Sequence, residues 1–289
     1  MRYHMNPILK KEMKRHVRSR HFFTGLILYE ALFAFVSAAG YGGVFQRSWN
    51  YRIDYSSAAY MYFVLAGILA VTVMLMVPLP AAGSIVGEKE NHTMELLMSS
   101  PLGIRRILTG KLMAALCFAF LLVTAAFPFL AMAFTLGGVE KRHLLQLLAV
   151  LFIEAVFLGC IGICFSAASE RMDSAGMWSY LTALGVCIGS IILEAGIYLV
   201  CHSYGTAAAD RGRLGGFMLL LLGNPLITVA SLLAGQMGYN EKFCELLTAL
   251  GPVPEVVLDH WCGISICVQV VLSSVLLLSA AYRMKRYYK

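Results

Sequence analysis

Three observations predict an all-α polytopic membrane protein with six transmembrane helices. Six apolar runs are each long enough to cross a bilayer's hydrocarbon core, which takes about 20 helical residues for about 30 Å. Hydrophobic residues make up 59% of the 289-residue chain and charged residues only 13%, with mean hydropathy +0.74; soluble domains carry roughly 25% charge. Counting six spans also places 16 of the 23 Lys and Arg on one side, as the positive-inside rule requires of the cytoplasmic face.

Residues 1–21 precede the first run and hold Lys10, Lys11, Lys14, Arg15, Arg18 and Arg20, with Ile8, Leu9, Met13 and Val17 recurring at helical intervals. That pattern predicts a basic amphipathic helix lying on an anionic membrane surface, so lipid is an expected partner. No small-residue cleavage site follows the first apolar run, and no signal peptide is read here. The net charge of +7 does not imply nucleic acid, because the basic residues sit at the ends of apolar runs and not on an aromatic-interleaved face.

The spans are expected near Phe22–Val44, Ala58–Val86, Leu108–Leu136, Leu144–Ala168, Ala175–Cys201 and Gly263–Tyr282. Together they form one domain over residues 22–289. Pro78 and Pro80 should kink the second span, since each lacks an amide donor. Trp49, Tyr51, Tyr55, Tyr60 and Tyr62 cluster at one boundary of the first two spans, as interface anchors do. Residues 215–237 are uncharged but hold Asn224-Pro225 in their middle. A seventh span there would put the basic C-terminus opposite the basic N-terminus, so this stretch reads as short re-entrant helices before span six, within an external cap over residues 202–262. Both termini are then cytoplasmic.

Eight cysteines lie mostly inside apolar segments, without ligand spacing, and read as small hydrophobes. Cys244 and Cys262 leave a disulfide open. Three carboxylates lie within spans: Glu30, Glu154 and Glu194. A charge at mid-bilayer costs about 2.5–3.5 kcal/mol on insertion scales, so such residues face protein or a wet cavity. Each is a candidate for a substrate or proton pathway, Glu154 foremost; the alternative is an uncharged acid bonded to a neighbouring helix. No metal site is apparent.

The densest polar stretch is residues 88–111, between the second and third spans, with three Glu and four Lys or Arg. Thr93 is placed to cap a short helix through Ser99, with Met94, Leu97 and Met98 on one face and Glu95 in the first turn. Ser100 and Pro101 are placed to open the next helix. No P-loop is encoded: Gly110-Lys111 is followed by Leu112 and lacks the preceding Gly.

The order Glu88-x-Glu90-x-x-Thr93-x-Glu95-x-Leu97, then Ser100-Pro101, then Ile107-x-x-Gly110-Lys111, resembles the signature of the membrane (permease) subunit of type-2 ABC exporters. Asn6-Pro7-Ile8 with Lys11-Glu12 is similar to the start of the same family. The resemblance implies that residues 88–107 form a cytoplasmic coupling helix seated on a separate ATP-binding cassette subunit. It further implies a homodimer or a heterodimer with a related permease, and ATP and Mg bound by the partner with no cofactor on this chain. The function implied is ATP-driven export across the plasma membrane by alternating access, with no enzymatic activity here. Glu88, Glu90, Thr93, Met94, Glu95, Leu97, Pro101, Gly110 and Lys111 are the expected ATPase-coupling residues. The competing reading is an ion-coupled secondary transporter, or a polytopic sensor, without an ATPase partner.

Overall fold

The computed structural model describes residues 20–48, 55–99, 103–135, 139–203, 220–250 and 254–287, and among these every regular element is helical. Helix α1 (Arg20–Ser48) carries the first span. Helices α2 (Tyr55–Met76) and α3 (Pro78–Glu90) share the second, and α4 (Met94–Met98) is a short helix in the connector. The third and fourth spans are α5 (Ile104–Thr135) and α6 (Lys141–Ala168). The fifth is α7 (Met172–Leu184), a π-helical turn at Gly185–Gly189, and α8 (Ser190–Ser203). Then come α9 (Pro225–Gln236), α10 (Asn240–Leu250), α11 (Glu255–Asp259) and the sixth span, α12 (Trp261–Tyr287). Among the described residues, six helical stretches are thus long and apolar enough to cross a membrane, in the places expected. The amphipathic helix expected over residues 1–21 falls, except for its last two residues, outside the described residues.

The second span breaks at Val77, one residue before Pro78. A proline ring offers the Met74 carbonyl no amide and crowds the turn before it. The bundle is built around α6, of whose most apolar stretch 72% is buried, against 17% for the first and fifth spans. Helix α6 packs on α3, α12, α5 and α7. Gly162 allows the closest of these approaches: a Cβ there would lie 2.7 Å from the Pro78 carbonyl oxygen and 2.6 Å from the Ala81 Cβ. Ser166, one turn on, accepts hydrogen bonds from the amides of Ile85 (2.9 Å) and Val86 (3.0 Å). Small residues thus bring α3 and α6 into backbone contact, the device by which helices associate where no hydrophobic driving force exists.

Of the predicted re-entrant pair, the second member is α9. Its 12 residues span about 18 Å at 1.5 Å per residue, too short to cross. It packs against α12, α6 and α2, so protein covers it. Asn224, fully buried, does more than break a helix. Its Oδ1 accepts from the amides of Leu226 (2.9 Å) and Ile227 (3.4 Å), capping α9. Its Nδ2 donates to the Cys187 carbonyl and to Ser190 Oγ, both at 2.8 Å. The first of these acceptors lies inside the π-helical turn of the fifth span.

In the expected external segment, Leu221, Leu222, Leu247 and Trp261 form a small separate apolar cluster. The disulfide left open between Cys244 and Cys262 is not formed; both are free thiols. One aromatic also differs from expectation. Tyr62 is buried and donates to Gln236 Oε1 (3.1 Å) on α9, so it anchors helices to each other. Tyr60 is exposed, with its hydroxyl 2.9 Å from that of Tyr239. Trp49 and Tyr51 lie outside the described residues.

Candidate functional site

The segment from Gly87 to Lys111 ties four helices together. Helix α3 ends in a left-handed turn: His92 has φ 53°, the Thr93 amide donates to the Glu88 carbonyl (2.9 Å), and the His92 amide donates to the Lys89 carbonyl (3.1 Å). This is the geometry that satisfies the last carbonyls of a helix. The sharp reversal lays α4 back against the bundle.

Three consecutive charged residues at the end of α3 address three different neighbours, as they must when successive side chains on a helix point about 100° apart. Glu88, 8% exposed, faces α5: its Oε1 lies 3.9 Å from Lys111 Nζ, which is 1% exposed and also donates to the Ser84 carbonyl. Lys89 faces the end of α6, donating to the carbonyls of Ala167 (2.8 Å) and Ser169 (2.9 Å). An ammonium at a helix C-terminus satisfies orphan carbonyls and the negative end of the dipole together. Glu90 faces the start of α7, its Oε1 accepting from the Met172 amide (2.7 Å). That is the complementary arrangement, a carboxylate at a helix N-terminus.

Thr93 departs from the sequence reading. Its hydroxyl makes no cap to α4; it donates to Glu88 Oε2. A charged acceptor makes the stronger hydrogen bond, and the Thr93 carbonyl accepts only the first bond of α4's own ladder, from the Leu97 amide (3.0 Å). Helix α4 runs as expected but with its apolar face inward: Met94 is buried, and Leu97 and Met98 are half-buried against the core. Met94 therefore presents nothing to a docking protein, and the apolar side chain turned outward is Leu96, 76% exposed, with Glu95 exposed beside it. Gly110 and Lys111 are buried in the second turn of α5, so neither is a surface contact. Helix α5 opens at Ile104, where the Gly103 carbonyl accepts from the amides of Arg106 (2.9 Å) and Ile107 (3.2 Å). Ser100 and Pro101 lie outside the described residues.

The residues that sequence reasoning missed are Lys89, counted only as a topology signal, and Leu96. The signal for Lys89 was its place in an unbroken charged triplet at a helix end, where no single partner can meet all three. For Leu96 no sequence signal distinguished it from Leu97.

A family profile described as "ABC-2 family transporter protein" matches residues 6–211, most of the chain. This protein belongs to the ABC-2 transporter family. It is also similar to a probable ABC transporter permease protein, NosY, of Stutzerimonas stutzeri, at 27% identity over 277 residues, covering 90% of this chain and 94% of that protein. The chain is the transmembrane permease subunit of an ABC transporter.

The three intramembrane carboxylates of the permease lie on three different spans, outside the coupling segment. Glu154 is buried on α6, beside the Gln269 carboxamide of α12. Gln269 Nε2 donates to Thr228 Oγ1 of α9 (2.9 Å). Among the described residues, Gln269 Oε1, Ser265 Oγ and both Glu154 oxygens are left without a hydrogen bond of good geometry. Glu194 is buried on α8, with Oε1 likewise unpartnered. Glu30 is half-exposed on α1, at the edge of the bundle.

Proposed function

We propose that this permease moves its substrate across the plasma membrane by alternating access, exporting it with ATP hydrolysed on a separate cassette subunit that also binds the Mg. Both termini are cytoplasmic, and two permease chains, alike or related, enclose the pathway. The observation that carries this reading is the attachment of α4. The turn that positions it is bonded to α3, and the triplet preceding it is bonded to α5, α6 and α7, so a displacement of α4 reaches four helices at once. Only Glu95 and Leu96 of α4 face fully outward, and these are assigned as the contact with the cassette subunit, with Leu97 at its margin. A partner whose two nucleotide states grip Leu96 differently shifts the permease between conformations, because only differential binding moves an equilibrium.

Leu96→Asp tests this assignment. An exposed substitution away from packed features changes stability by about 0.5 kcal/mol or less, so the variant should fold and insert normally. It should lose co-purification with its cassette subunit, and lose stimulated ATPase activity. Normal co-purification and stimulation in a folded Leu96→Asp protein would place the contact elsewhere.

A further inference from the structure

A second polar feature lies on the same side of the bundle as α4 and belongs to none of the contacts above. The ends of α6 and α12 frame a cavity of about 550 Å³, walled by the backbone at Ala167 and Ala168 and by Lys89, Glu170, Tyr282, Arg283 and Arg286. Lys89 is committed to the end of α6, as described, and Glu170 lies within its electrostatic reach. Arg283 and Arg286, one helical turn apart on α12, have no ion-pair partner among the described residues. The cavity therefore presents two unneutralised guanidinium groups three residues apart, a spacing that puts both on one face of the helix.

Depth and the neighbouring surface say what anion fits. From Trp261 to Tyr282, α12 rises about 33 Å at 1.5 Å per residue, close to the ~30 Å of a hydrocarbon core. Arg283 thus begins where headgroups begin. Below it runs a stripe of outward apolar side chains at helical spacing, Val271, Val275, Leu278 and Tyr282, between 56% and 69% exposed. Acyl chains laid along that stripe bring a phosphate to the two arginines, whose planar groups bind phosphate oxygens in pairs. Glu170 supplies an acceptor in the same cavity, suited to a hydroxyl on the headgroup.

We propose that the cavity between the ends of α6 and α12 is a binding site for one anionic phospholipid with a hydroxyl-bearing headgroup, its phosphate held by Arg283 and Arg286. Because Lys89 walls the cavity while capping α6, the bound lipid braces the helix ends to which the coupling segment is tied. The inference does not depend on the cassette contact at Leu96.

The test uses the full permease in phosphatidylcholine nanodiscs with phosphatidylglycerol added in steps, read as the thermal midpoint. Phosphatidylglycerol should raise the midpoint of the wild type by about 2–4 °C, the shift expected for a modest ligand on a chain of this size. Arg283→Gln with Arg286→Gln should abolish the rise. Lys285→Gln, which removes a positive charge from the same helix outside the cavity, should keep it. The proposal is overturned if the double variant responds like the wild type, if Lys285→Gln loses the rise equally, or if millimolar inorganic phosphate reproduces it. Native mass spectrometry of the wild type provides a readout independent of the variants: one phosphatidylglycerol should be retained in preference to phosphatidylcholine, and equal retention of both overturns the site.

Discussion

Two clusters of polar groups in the permease are built on opposite terms. At the end of α3, Glu88, Lys89 and Glu90 each reach a partner on a different helix, and the Thr93 hydroxyl completes the coordination of Glu88. At mid-span, neither Glu154 oxygen nor the neighbouring Gln269 Oε1 has a hydrogen bond of good geometry among the described residues. A low-dielectric surrounding strengthens every bond that is made and penalises every group left alone. The first cluster is therefore a fixed joint. The second can gain on rearrangement, and α6, α9 and α12 meet there.

The contrast can be broken most decisively at Lys111. Lys111→Met leaves the Glu88 carboxylate buried without its counter-ion, which should destabilise the protein by about 3–5 kcal/mol, measured as a fall in thermal midpoint. Adding Glu88→Gln should recover part of the loss, because no buried charge then remains. A Lys111→Met protein that melts like the wild type would mean that the joint is open to water. A smaller effect is expected at Glu90. Glu90→Ala removes one cap from α7 and should cost about 1 kcal/mol, visible as faster amide exchange confined to Met172–Gly176. Uniform acceleration across the bundle would deny that the bond is local. The smallest is at Glu154. Glu154→Gln keeps the shape and offers Gln269 Oε1 a donor, so stability should change by less than about 1 kcal/mol. If that folded variant loses transport, the carboxyl acts beyond packing, and the second cluster becomes a working site.

How much of this was legible in advance depended on the kind of force involved. Six spans, the break at Pro78 and the shortness of α9 follow from hydropathy, chain length and proline chemistry, all local properties. The position of the polar connector was equally plain, and its order of residues pointed to the right family. Its orientation was not, because which face of a five-residue helix turns inward is decided by the helices it meets. Met94 and Leu97 were expected outside and lie inward; Leu96 was passed over and stands out. Likewise Thr93 has the residue type and place of a cap, but a carboxylate five residues earlier is a better acceptor for its hydroxyl than the amides ahead are donors to its oxygen. Asn224 read as a breaker because its partner in the π-helical turn of the fifth span lies 37 residues away.

The interruption at Val77 divides one membrane crossing into two pieces with different loyalties. On one side of it, α3 is clamped to α6 through Gly162 and Ser166 and belongs mechanically to the joint formed by Glu88, Lys89 and Glu90. On the other, α2 meets α9 through Tyr62 and Gln236. Since Pro78 contributes no amide, the crossing flexes at that point without rupturing a main-chain bond. A rotation of a few degrees at this elbow swings the far end of α2, some 33 Å long at 22 residues, through an arc of a few ångströms, so a slight motion at one face of the bilayer becomes a larger one at the other.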